Sequence, residues 1–184
     1  MSRLIEDDHD SIVDEAAPNP LISRALDGVV SFISLFAHAT WIILIGIILT
    51  NVVMRYFLGG SIVALEELQW HLYAFGFMVG LSYTLVHDQH VRVDVLAEHW
   101  NKRRRAKIEI FAMLVLVIPF AGVILFDSFD FIEFSLRLNE RSRSPGGLPY
   151  RWILKSVIPL AMGLLILAAL ARTARMISLL RISR

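Results

Sequence analysis

The sequence predicts an all-α integral membrane protein: four transmembrane helices, a short interfacial amphipathic helix, and both termini cytoplasmic. Three observations predict it. The 184 residues are 56% hydrophobic and 19% charged, with a mean hydropathy of +0.60; a soluble domain carries about a quarter charged residues. The charges cluster, leaving long uncharged stretches. Lys and Arg also fall unevenly on the two sides that those stretches define.

Residues 1–20 read as an acidic cytoplasmic tail with no apolar core of the kind a cleavable leader has. Pro18 and Pro20 end any helix there, and Asn19 followed by Pro20 reads as an N-cap and a first-turn proline. The membrane domain is expected over 21–175. No charged residue occurs from 28 to 54, roughly 40 Å of helix against a bilayer core of about 30 Å. With no water in that core, each backbone group must be paired within its own segment, which selects helix. The second span is expected near 68–86, the third near 108–126 with a kink at Pro119, and the fourth near 152–171. In the fourth, Pro159 bends the helix and Lys155 reaches back to the interface from the first turn. A basic tail over 176–184 follows. Four such segments leave too little polar surface to coat a soluble globule. The two halves share no repeat, unlike a self-contained inverted-repeat transporter.

Orientation follows from the flanking cations. Twelve Lys and Arg residues lie on the side of the two termini and the 87–107 loop, and six on the other. Both termini are therefore expected in the cytoplasm, with Arg55, Arg137, Arg141, Arg143, Arg151 and Lys155 outside.

Chemistry-bearing residues gather in a few places. LVHDQHVRVDVLAEHW, 85–100, holds His87, His90 and His99 with Asp88 and Asp94. A metal site needs three or four converging ligands with second-shell support, and nothing here resembles HExxH. A proton relay belongs inside the bilayer, whereas these groups lie at its cytoplasmic mouth. The stretch reads instead as a turn after His87, with His90, Arg92 and Asp94 as structural or ion-pair residues and Asp94 near the start of the next element. An interfacial helix over 93–100 follows, with Val93, Leu96, Ala97 and Trp100 as its apolar stripe. Lys102, Arg103, Arg104, Arg105 and Lys107 extend the anchor; beside a span such a run touches anionic lipid rather than nucleic acid. Across the membrane, Arg55 ends the first span and Glu66 and Glu67 open the second, so a hairpin would pair Arg55 with one of them. Adjacent carboxylates do not face each other on a helix, so this reads as a structural pair and not an acid–base dyad.

Past the third span, Asp127, Asp130 and Glu133 form an acidic stripe, Glu133 and Arg137 are spaced for an i,i+4 pair, and Ser144-Pro145-Gly146-Gly147 ends the helix. Arg137, Arg141, Arg143, Pro145 and Gly146 form a candidate docking tip for a periplasmic protein. His38 and His71 lie in the first two spans at different depths, which argues against one haem between them. With no cysteine, disulfides, iron–sulfur clusters and thiol catalysis are excluded. No phosphate loop or nucleophile elbow is present, and nothing supports an enzyme or a cofactor.

Three stretches together, NVVMRYFLGGS, then EELQW with FGFMVGLSYTLVHDQHVRVDVL, then RSPGGLPYRWILKSVIPLAMGLLIL, resemble the DctQ-type small permease subunit of TRAP (tripartite ATP-independent periplasmic) transporters. The likeness runs from about Leu21 to Arg175. It implies a bacterial inner-membrane subunit paired with a large multi-span permease subunit. In that family a periplasmic binding protein captures a small organic acid, and the large subunit carries it inward with sodium while the small one enlarges its stationary scaffold. Arg55, Tyr56, Glu67, His90, Arg92, Asp94 and the Pro145–Pro149 turn match the family pattern and are expected to serve packing and contact. The acidic tail and the Gly146-Gly147 pair fall outside that pattern. The alternatives are a haem-binding anchor of a respiratory enzyme and a free-standing small transporter.

Overall fold

The computed structural model describes residues 20–87 and 101–182. The expected surface helix at 93–100 lies outside these residues, as do His90, Arg92, Asp94 and Trp100. All regular structure among the described residues is helical: α1 (Leu21–Leu58), α2 (Val63–Val86), α3 (Lys102–Ala112), a π-helical turn (Met113–Val117), α4 (Ile118–Arg137) and α5 (Trp152–Ile182).

α1 has 38 residues, about 57 Å at 1.5 Å per residue. The expected proline start is shifted by one position. Pro20 itself occupies the N-cap with extended backbone, and its carbonyl accepts the Arg24 N–H at 3.1 Å. The helix stops where Gly59 takes a left-handed φ of 71°, which glycine adopts without a Cβ penalty. The chain then turns back into α2. Gly76 makes that hairpin tight: a Cβ there would lie 3.1 Å from Cε2 of Trp41, tighter than ordinary contact.

α3, the π turn and α4 form one continuous rod from Arg103 to Arg137. Pro119 has no N–H and its ring crowds the carbonyl four residues back. The wide turn at Met113–Val117 immediately precedes it, so the expected irregularity is a π turn just ahead of the proline. α4 ends at Arg137, seven residues before the Ser144–Gly147 cluster expected to stop it. The stop is a Schellman turn. Asn139 takes a φ of +46°, its N–H bonds the Leu136 carbonyl at 3.1 Å, and the Glu140 N–H reaches the Ser135 carbonyl at 3.0 Å. α5 runs past the expected span end at 171, carrying Arg172 and Arg175 into its last turns.

α5 is the central post and touches every other helix. Ala161, Ala168, Ala169 and Ala171 are fully buried on it, and such small side chains let backbones approach closely, the usual currency of helix association in lipid. One core joins Val30 and Ala37 of α1, Val79 and Val86 of α2, and Leu164 and Ala168 of α5. A second joins Ala121 of α4 to Ala161 and Met162 of α5. Ala121, Ser128 and Ser135 are the buried residues of α4; their seven-residue spacing is a narrow seam.

Large apolar residues such as Phe32, Ile42, Phe120 and Phe126 point outward, a surface that only lipid or protein can cover. Ser23–Leu58, Arg103–Arg137 and Trp152–Arg181 are long and apolar enough to cross a membrane. α2 is not among these three; Gln69, His71, Tyr73, Ser82 and Thr84 dilute its apolar content.

Candidate functional site

Polar chemistry collects at the two ends of the bundle. At the first, Glu67 sits in the second turn of α2 and reaches the loop between α4 and α5. Its carboxylate accepts from the Ser142 hydroxyl and from the Leu148 N–H, the latter at 2.7 Å. The loop is preshaped for this grip: the Ser142 N–H bonds the Leu148 carbonyl at 3.1 Å, and the Gly147 N–H bonds the Ser144 carbonyl at 3.0 Å. Gly147 is a steric necessity, since a Cβ would lie 2.5 Å from Ser142 Oγ and 2.8 Å from Glu67 Oε1. The Ser142 hydroxyl, foremost, and then the Leu148 amide hold the Glu67 carboxyl below the usual carboxylate range.

Beside this clip, Glu140 receives the Lys155 ammonium at 2.5 Å, and the Arg151 guanidinium stands 4.0 Å away. The hydrogen bond from Lys155 is the main cause that keeps the Glu140 carboxyl low. Lys155 also lies 3.8 Å over the Phe131 ring, so the side chain expected to reach the interface alone is held by α4 and its loop.

At the opposite end, α2 finishes with carbonyls that have no partner within the helix. Arg172 Nη1 donates to the Leu85 carbonyl at 3.2 Å, and Arg175 Nη2 donates to the Val86 carbonyl at 2.9 Å. Two cations at a helix C-terminus also suit its dipole. Arg172, 1% exposed, pairs through Nε with Glu109 of α3. Arg175 stands 3.7 Å from Asp27 of α1, whose other carboxylate oxygen accepts from Ser23 at 3.2 Å. α1, α2, α3 and α5 therefore meet in one charged knot.

The sequence-predicted residues divide accordingly. Among the described residues no ion pair joins Arg55 to Glu66 or Glu67. Arg55 is exposed, and Glu67 is bound instead to a loop 75 residues further along. Arg137 pairs with Glu133 one turn back. Arg141, Arg143, Pro145 and Gly146 are exposed on the loop that Glu67 grips. Arg103, Arg104, Arg105 and Lys107 lie along the first turns of α3. His38 packs its ring on Tyr83 at 4.9 Å, twelve residues along α2 from His71, or about 18 Å of helix. Each ring donates Nδ1 to the carbonyl one turn earlier in its own helix, His38 to Ser34 at 2.7 Å and His71 to Glu67 at 2.6 Å, so the two do not converge on a shared ligand. Ser142, Gly147, Glu140, Glu109 and the clamping role of Arg172 and Arg175 escaped the sequence reading. The one available signal was a lone carboxylate, Glu109, set against arginines at the edge of an apolar span.

These features define a multi-pass α-helical membrane protein whose charged side chains, among the described residues, tie helices together. The family model of the DctQ component of tripartite ATP-independent periplasmic transporters matches residues 44–179, most of the chain. The chain belongs to that family and is a TRAP transporter small membrane subunit, a transporter component. No curated protein and no solved structure matches it.

Proposed function

We propose that this chain is the stationary scaffold of a TRAP transporter in a bacterial inner membrane. The large permease subunit moves a small organic acid inward with sodium, after a periplasmic binding protein delivers it. The family match carries this reading. The architecture supports it: a part that holds height while a neighbour moves needs rods that do not slide past one another. Here α5 is tied at one end to α1, α2 and α3 through Arg172 and Arg175, and near the other to the α4–α5 loop through Lys155 and Glu140. In this reading α2 is the fourth span, buffered by its neighbours, and both termini are cytoplasmic. The basic run at the start of α3 rests on anionic headgroups. Arg55, Glu66 and Glu67 close the outer end, and Arg141 and Arg143 offer acidic surface on the binding protein a salt-sensitive contact.

Affinity purification of the tagged chain from native membranes tests the proposal. Recovery of a much larger polytopic protein in fixed ratio supports it; recovery of the chain alone, or with a Soret band, refutes it. Because the chain has no cysteine, single cysteines introduced at Ser61 and Ser178 report sidedness by impermeant labelling. Ser61 should label from the periplasm and Ser178 only after lysis.

A further inference from the structure

A cavity of about 440 Å³ opens between α2, α4 and α5, beside the Glu140–Lys155 pair. It is graded from polar to apolar. Ala74 and Met78 of α2 and Leu154 and Ile158 of α5 line one part, with Phe131 as a side wall. Glu140, Arg151 and Lys155 line the other. Its size and its mostly apolar lining with a few convergent polar groups are those of a built ligand site.

The three charged groups are not equally engaged. Lys155 is committed to Glu140 at 2.5 Å and to the face of Phe131. Glu67, the other carboxylate near Arg151, is taken by Ser142 and Leu148. Arg151 stands 4.0 Å from Glu140, beyond hydrogen-bond reach, and is 41% exposed. Among the described residues Arg151 makes no side-chain hydrogen bond and only the long ion pair with Glu140, so its planar fork keeps N–H donors for a bidentate acceptor. Arg151 immediately precedes α5, an apolar span, so this fork stands at the boundary where phosphate headgroups lie.

We propose that this cavity binds one phospholipid, its phosphate on Arg151, where the two cations of the lining outnumber the one carboxylate, and an acyl chain along the α2–α5 floor. The bound lipid would add a wedge between three helices that already pack beside this cavity. The proposal rests on the membrane reading of the chain and not on its transport role, so failure of either leaves the other standing.

Native mass spectrometry tests it on the full chain, purified with any membrane partner it retains and stripped of lipid with mild detergent. Three probes are titrated: phosphatidylglycerol, diacylglycerol (the chains without the phosphate) and glycerol phosphate (the phosphate without the chains). The phospholipid should bind about ten- to a hundredfold more tightly than either fragment. Arg151→Gln should remove about that factor. Ala74→Phe, which fills the floor and leaves every charge in place, should do so independently. Wild-type lipid affinity in both variants would overturn the proposal, as non-specific annular binding would give. Equal binding of diacylglycerol would reduce the site to an apolar groove, and equal binding of glycerol phosphate would reduce it to an anion site; each also overturns it.

Discussion

Replacing Arg172 by methionine is the sharpest test of the charged knot. Arg172 is 1% exposed, pairs with Glu109, and donates to the Leu85 carbonyl at 3.2 Å. Methionine keeps most of the volume and removes every donor. Breaking a buried pair by removing one partner costs about 3–5 kcal/mol, because a charge stays behind in a medium that solvates it poorly. The Leu85 carbonyl, stripped of its donor, accounts for about 1–3 kcal/mol if counted alone, and the two terms overlap. R172M should therefore destabilise the chain by about 3–5 kcal/mol in equilibrium unfolding in mixed micelles, followed by tryptophan fluorescence. The cause is separable from the effect. If the cost lies in Glu109 losing this cation, R172M/E109M should recover part of it, leaving at least the carbonyl contribution of about 1–3 kcal/mol. An R172M chain within about 0.5 kcal/mol of wild type would refute the burial reasoning. A double variant no more stable than R172M would show that the loss comes from something other than the Arg172–Glu109 pair.

Three further outcomes follow from the same geometry. The Glu67 and Glu140 carboxyls are held below their ordinary value of 4.5. Their stabilising contribution is therefore complete above that pH and is lost as pH falls through the lowered values; thermal midpoints should drop in acid, and a chain carrying Glu67→Gln and Glu140→Gln should drop less steeply. Gly147→Ala should lower the thermal midpoint by pushing a methyl into Ser142 and Glu67. Gly146→Ala, with open space around it and a φ of +77°, should cost only the left-handed strain, about 1–2 kcal/mol. Gly76→Leu should pry α1 from α2 at Trp41 and lower the thermal midpoint.

The legible part of this fold was local. Uncharged length marked α1, the α3–α4 rod and α5. Pro119 signalled an irregularity, and the chain answered with a π turn one step earlier. What could not be read was long-range pairing. Glu67 lies twelve residues from Arg55 and 75 from Ser142, and sequence proximity suggested the nearer partner. One of its actual partners is the Leu148 backbone amide, which no side-chain pattern reveals. Arg172 and Arg175 entered the reading only as flanking cations, whereas their acceptors are backbone carbonyls at the end of another helix. α2 reads as a span by its uncharged run, but its polar side chains keep it outside the helices that qualify by apolarity alone.

Reconstitution tests the scaffold claim most directly. Proteoliposomes would contain the large permease subunit with this chain, the large subunit alone, or this chain alone, each given substrate-loaded binding protein and an inward sodium gradient. An inert but required scaffold predicts uptake only when both membrane subunits are present. Undiminished uptake without this chain, or uptake by this chain alone, would contradict it.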